Sequence, residues 1–314
     1  MTTTAVAVIC AALTLLFGTQ APAPPAALET LAVRPSFFMI AGGGANVSVQ
    51  VGEDGILVVD SGPASGAPAL LAAIKRLSPK PIRYIINTGP DLDHVSGNET
   101  IAKAGEKLFS SSNRRGAGGN RAPVVAVEGV VRHLQTLPFD AIPTEVFDYE
   151  RKSMYLNGEG IEVISQPAAH TDGDAFVFFR RSDVVVAGDV LDTRQFPVID
   201  VARGGSIQGE IAALNRLAEL AIPSVPDVSR EAGTIVVPGH GHLCDYYDVV
   251  DYRDMLVIIR DRVRDLMKAG RSLPEIQAAQ PAKGYMGRYG NTGGAWTTER
   301  FIEAVYVSLS KEKP

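Results

Sequence analysis

"INTGPDLDHVSGNE", Ile86 to Glu99, joins the end of an apolar strand to a loop that carries Asp91, Asp93 and His94 within four positions. The chain has only five histidines and a formal net charge of −5, so this cluster needs partners drawn from elsewhere in the sequence. They lie at the ends of other apolar runs. His170 follows "GIEVISQPAA", Asp189 ends "VVVAGD" and His240 ends "TIVVPGH". Four strands thus deliver Asp93 and His94, His170, Asp189, and His240 to the places where a rigid scaffold meets its loops. A single Asp or His at a strand end is usually a cap or a satisfied polar group. Four such segments, with Gly188 before Asp189 and Gly239 before His240, point to one shared centre. Imidazole and carboxylate together suit borderline divalent metals such as zinc, and Asp189 could bridge two ions.

The pattern around these residues sets the expected architecture. "SFFMI", "NVSVQV" and "ILVVD" read as a strand meander broken by Gly42-Gly43-Gly44 and Glu53-Asp54-Gly55. "GAPALLAAIKRL" has helical spacing, "IRYIINT" reads as a buried strand, and a short helix is expected from Gly97 to Ala104. The Gly/Ser/Arg-rich "SSSNRRGAGGNRAP" precedes the strand "VVAV" and a helical piece near Val130–Leu134. The second half repeats the style, with helices expected at Ser206–Leu220, Asp245–Ala269 and Thr298–Leu309, the last capped by Thr298. Two strand-then-helix halves suggest two sheets packed face to face with helices outside: α/β (α+β), a four-layer αββα sandwich.

Composition narrows the partners. The acidic balance, with pI about 5.6, excludes a nucleic-acid footprint, since Arg114, Arg115 and Arg121 are too few to form a basic face. A small-molecule substrate is expected. Residues 1–30 read as a signal peptide and Pro/Ala linker, and 31–314 as the functional domain. The uncharged run Ala5–Gly18 is too short for a span of roughly twenty residues but fits a secretory leader, although no Lys or Arg precedes it. An uncleaved anchor is the alternative. The expected location is periplasmic or secreted. Cys10 would leave with the leader, and Cys244 reads as a small buried hydrophobe.

From "NVSVQVGEDGILVVDSG" through "HTDGD", "AGD" and "VVPGHG", the chain resembles the metallo-β-lactamase superfamily. The family's His-x-His-x-Asp-His motif, aligned on Asn87-Thr88, becomes Gly89-Pro90-Asp91-Leu92-Asp93-His94. The resemblance implies one complete metal site from Asp93, His94, Asp189 and His240. The second keeps His170 and Asp189, lacks an imidazole at Gly89, and has Asp91 where histidine is usual. A carboxylate there tilts the site toward iron or manganese. A single zinc is the preferred expectation, with two metals as the alternative. The implied chemistry is hydrolysis of an amide, ester, lactone or thioester carbonyl by metal-activated water, with Asp93 orienting or deprotonating that water. Arg203 and Ser206, in "ARGGS", resemble a loop that borders substrate; Ser206 could equally be a plain helix cap. His242 reads as a supporting partner or a solvated loop residue, and Asn98 as a tie for the loop after His94. The rival expectations are a non-catalytic binding protein and a di-iron redox protein, the latter without a flavin domain.

Overall fold

The structure is a computed structural model that describes residues 27–108, 119–225 and 233–311. The apolar run Ala5–Gly18 and the pair Arg114-Arg115 lie outside the described residues.

Strands β1 (Glu29–Arg34), β2 (Phe37–Ala41), β3 (Val47–Val51), β4 (Ile56–Val59), β5 (Ile82–Ile86), β6 (Val124–Val127) and β7 (Glu145–Phe147) form one sheet in sequence order. It is antiparallel up to β4 and parallel from β4 to β7. Helix α1 (Ala67–Leu77) joins β4 to β5; the short helices α2 (Leu92–Val95) and α3 (Asn98–Lys103) follow β5, and α4 (Glu128–His133) follows β6. The second sheet has the order β12-β11-β10-β9-β8, from β8 (Arg151–Leu156), β9 (Glu159–Gln166), β10 (Asp174–Phe179), β11 (Val184–Asp192) and β12 (Ile235–His240). Helices α5 (Ile207–Leu220), α6 (Tyr246–Lys268), α7 (Leu273–Ala278), α8 (Met286–Tyr289) and α9 (Thr298–Ser310) belong to this half.

The continuous apolar runs are explained by burial on both faces of each sheet. In β4, Leu57 and Val59 point into the core between the sheets, while Ile56 and Val58 face α1 and α3. In β11, Val184 and Val186 point inward, and Val185 and Ala187 face α5, α6 and α9. The two-residue period of a strand thus feeds three apolar layers, which lie between four layers of structure. This is the αββα sandwich. Phe37 and Phe179 meet edge to face across the central layer, with ring centroids 4.8 Å apart.

Helix ends follow local chemistry. Pro68 lies in the first turn of α1 and Lys75 and Arg76 in its last, matching fixed φ to the start and positive charge to the carbonyl end. Asp245 and Asp248 form a capping box on α6. The cap of α9 is Thr297, one residue before the expected Thr298; the Thr298 hydroxyl instead exchanges bonds with the Asn291 backbone. Strand β1 begins at Glu29, inside the segment expected to be leader and linker, because its alternation is weak and only pairing with β2 fixes it. Among the described residues no helix is long and apolar enough to cross a membrane.

Replacing Phe179 by Ala should cost about 3–5 kcal/mol, the usual penalty for removing a buried ring. Urea unfolding with an unchanged m-value measures it, and a loss below about 1 kcal/mol would mean that the sheets do not meet through this ring.

Candidate metal centre

The first sheet presents its ligands through a braced turn. After β5, the Asn87 and Asn98 side chains bond reciprocally at 3.1 and 2.8 Å, and Asn98 also donates to the Ala141 carbonyl at 3.0 Å. Asp60, just past β4, accepts from the Thr88 amide at 2.8 Å and the Thr88 hydroxyl at 2.6 Å. Its φ of 64° is left-handed, a conformation that Asp tolerates better than most residues. Ser61 N–H then donates to the His94 carbonyl at 2.7 Å, tying α2 to the end of β4. Asp91 precedes α2, and Asp93 and His94 lie within it.

The second sheet supplies the rest. His170 sits in the turn between β9 and β10, which Asp174 closes by accepting from the Thr171 amide and hydroxyl at 2.7 and 2.8 Å. Asp189 was expected at a strand end. It lies instead within β11, where the register with β12 shifts on either side of Gly188. Gly188 has φ 56°, and a Cβ there would fall 2.6 Å from the Thr88 hydroxyl. At Gly239 a Cβ would fall 2.4 Å from Asp189 Oδ1. Gly188 is therefore demanded by the close approach of Thr88 and by its left-handed backbone, and Gly239 by the close approach of Asp189. His240 is the last residue of β12.

These side chains converge in two groups, Asp93 with His94 and His240, and Asp91 with His170 and Asp189. Asp189 links them. Its Oδ1 lies 3.3 Å from His240 Nε2, and its Oδ2 lies 3.1 Å from His94 Nε2 and 3.9 Å from His170 Nε2. Asp93 Oδ2 is 3.3 Å from His240 Nε2, and Asp91 Oδ2 is 2.9 Å from His170 Nε2. The His94 side chain is 1% exposed, whereas Asp93, at 38%, is the most open carboxylate of the group.

The ring nitrogens facing away from the centre settle which ones face it. His94 Nδ1 lies 2.8 Å from Asp60 Oδ2, and His170 Nδ1 lies 2.6 Å from the Val198 carbonyl. A backbone carbonyl can only accept, and the Asp60 carboxyl already accepts from the Thr88 amide and hydroxyl, so both Nδ1 atoms are assigned as donors; neutral rings would turn their Nε2 lone pairs toward Asp189 and, for His170, Asp91. Lone pair facing carboxylate is repulsive unless a cation stands between them. Protons alone can fill that role. Burial lowers the His170 pKa, but the hydrogen bond to Asp91 and the nearby Asp174 and Asp189 outweigh it and lift the value to about 10. Burial likewise opposes charge on His94, and Asp189 and Asp60 raise it well above the ordinary imidazole value. Asp189 is pushed upward by burial yet held far below the usual carboxylate range by His94, His170 and His240. A divalent ion would displace such protons, so affinity should fall as pH falls. The donor set fits an ion at the His94 side: His94 Nε2 and Asp189 Oδ1 are buried with no hydrogen-bond partner.

All six expected ligands, Asp91, Asp93, His94, His170, Asp189 and His240, are thus brought together. Arg203 stands beside them, its Nη2 2.6 Å from Asp91 Oδ1. Ser206 is the α5 cap: its hydroxyl accepts from Gly209 N–H at 2.9 Å and donates to the Ala168 carbonyl at 3.0 Å. His242 is exposed, and Tyr289 packs against Phe196 and Tyr252. Cys244 is buried, and burial first, then nearby Asp248 and Asp245, pushes its thiol up to about 12. Sequence reasoning missed Asp60 and Asp174. The signals were present, a strand-end Asp in "VVDSG" and the last Asp of "HTDGD", but only the fold shows which ring or turn each serves. It also missed Glu210 of α5, fully buried with neither carboxyl oxygen partnered; burial, then Asp174, pushes that group well above the ordinary value.

The four-layer sandwich with metal-type ligands at one end of its two sheets defines a recognisable class. The chain belongs to the metallo-beta-lactamase superfamily, whose family model matches residues 40–240. Among solved structures it is similar to the stereoselective inverting sec-alkylsulfatase Pisa1 from Pseudomonas sp., with 15% identity and TM-score 0.64, over 89% of this chain and 50% of that one. The chain therefore spans half the length of that protein. It is also similar to a metallo-beta-lactamase from Pontibacter korlensis (17% identity, TM-score 0.56, 73% of this chain and 98% of that). The DIM-1 metallo-beta-lactamase gives 16% identity and TM-score 0.54, over 73% of this chain and 96% of that. At these identities the likeness is one of fold. No curated protein matches the chain.

Asp60→Asn should weaken metal binding about 10–100-fold, because the amide no longer fixes the His94 tautomer. Competition with a chromophoric chelator reads this directly. Unchanged affinity would show that Asp60 does not orient the ring.

Proposed function

We propose that this protein is a metal-dependent hydrolase that adds water to the carbonyl of an amide, ester, lactone or thioester. The observation that carries the reading is the pair of buried imidazoles, His94 and His170, whose outer nitrogens are fixed by Asp60 and Val198 and whose inner nitrogens face carboxylates, Asp189 for His94 and Asp91 with Asp189 for His170. Asp93, His94, Asp189 and His240 would hold one ion, and zinc suits this mixture of imidazole and carboxylate. Such an ion, when bound, supplies Lewis acidity and lowers the pKa of water to about 7.

The remaining work falls to the chain. Burial raises the Asp93 pKa, but the hydrogen bond to His240 and the charge of His94 outweigh it, so the carboxylate stays ionised at neutral pH. As the most open carboxylate of the cluster it meets water first. It accepts a hydrogen bond from that water and points the free lone pair at the carbonyl carbon. As the new C–O bond forms, Asp93 takes the proton. Collapse of the adduct then breaks the C–N, C–O or C–S bond, and the proton passes to the departing group.

The competing reading is a binding protein that kept the fold and lost turnover, and the missing imidazole at Gly89 favours it. Elemental analysis of protein expressed without supplementation should find close to one zinc per chain. A panel of the four substrate classes, extended to alkyl sulfates because one fold neighbour is a sec-alkylsulfatase, should yield turnover that EDTA abolishes. Zinc without turnover supports the binding protein, and two tightly held irons support a redox role.

Export belongs to the same proposal. Sequencing of periplasmic protein should give a first residue between Ala21 and Thr30. Soluble cytoplasmic protein beginning at Met1 would overturn this.

A further inference from the structure

We propose that Arg203 is the built-in cation of the Asp91 half of the centre, where its guanidinium takes the place of a second ion and keeps the protein mononuclear. The inference rests on the metalloenzyme reading above and addresses the half that this reading leaves without an ion.

Asp91, His170 and Asp189 are close enough to hold a metal, yet both oxygens of Asp91 already have partners. Its Oδ1 is 2.6 Å from Arg203 Nη2 and its Oδ2 is 2.9 Å from His170 Nε2. An incoming ion would have to break a charge-assisted contact and then sit beside a positive group that does not deprotonate. Both partners are partly buried, with side-chain exposures of 29% and 26%, so solvent screens the repulsion incompletely.

The arginine is held there by design of its loop. Its Nε donates to Asp200 Oδ2 at 2.6 Å, and Asp200 Oδ1 accepts from the Ala202 and Arg203 amides at 3.0 Å each. The Asp200 amide donates to the His170 carbonyl, and the Asp172 amide to the Arg203 carbonyl, both at 2.9 Å. At Gly205 a Cβ would fall 2.1 Å from the His170 carbonyl oxygen, so the loop lies directly on the histidine turn. The Arg203 loop and the His170 turn therefore form one unit.

Gly89 completes the case. Among the described residues other than its chain neighbours, only Asp174 Oδ1 lies within 4 Å of where its Cβ would stand, at 3.5 Å. A Cβ therefore meets only ordinary contact there, and Gly89 itself supplies no donor. Of the three protein nitrogens a second zinc would use, only His170 remains. Loss of that imidazole, a carboxylate at Asp91 and a cation at Arg203 form one coherent exchange: a bound ion for a covalently attached one.

Zinc titration of metal-stripped protein by calorimetry, with elemental analysis after dialysis, tests this. The native protein should show a single step and one zinc. Arg203→Gln, which removes the charge but can still reach Asp200, should add a second, weaker step and bring the total to two. Arg203→Lys should remain at one, and Arg203→Gln combined with Asp91→Ala should return to one. Arg203→Met, also expected to reach two, substitutes if circular dichroism shows that the glutamine variant is unfolded. If the uncharged variants stay at one zinc, or if the native protein already takes two, the inference is overturned while the metalloenzyme reading stands. No zinc in any variant overturns both.

Discussion

One largely enclosed carboxylate organises the candidate centre: Asp189, its side chain 14% exposed, faces three imidazoles at once. Burying a charge costs several kcal/mol in effect unless partners compensate it, and here the compensation is distributed over His94, His170 and His240. The arrangement is reciprocal for His94 and His170, whose raised proton affinity owes part of its size to the same group. Everything around Asp189 is shaped by the need to bring it close. The register shift in β11, the left-handed backbone of Gly188 and the missing side chain of Gly239 all serve that end.

The two halves flanking Asp189 have different characters. On the His94 side, buried nitrogen and oxygen atoms lack partners, and Asp60 fixes the ring behind them. On the His170 side, every oxygen of Asp91 is engaged and a guanidinium closes the ring of contacts. The contrast is one of satisfied against unsatisfied valence in the polar sense, and it coincides with the two altered positions of the opening motif, Gly89 and Asp91.

Much of this was legible in the sequence, for identifiable reasons. Strands buried on both faces give uninterrupted apolar runs, so the main strands of both sheets could be read directly. Chemistry placed at the ends of such runs was readable too, and all six expected ligands meet. What escaped were features that depend on pairing rather than pattern. Half of the residues of strand β1 are exposed, and it exists through its register with β2. Asp189 inside a strand, rather than after it, requires a bulge that no local signal announces. Asp60 looked like the end of a strand because its role lies 34 positions away, on His94. The cap of α9 slipped by one because two adjacent threonines offer the same hydroxyl and tertiary contacts choose between them. Ser206, which had two readings in sequence, spends its hydroxyl on α5.

The ligands come from both sheets, Asp93 and His94 from the first and Asp189 and His240 from the second. An ion held by all four would act as a rivet through the seam where the layers meet, joining segments nearly half the chain apart. Asp93 and His94 supply only two of the four donors, so loading of such an ion would follow docking of the two layers, and the entropy of closing so long a loop would be met by apolar packing beforehand. Occupancy then becomes a gauge of assembly. A chain that has lost its rivet should breathe first along that end of the seam, with exchange of the α2 and Gly188 amides quickening before the apolar layer beneath them yields.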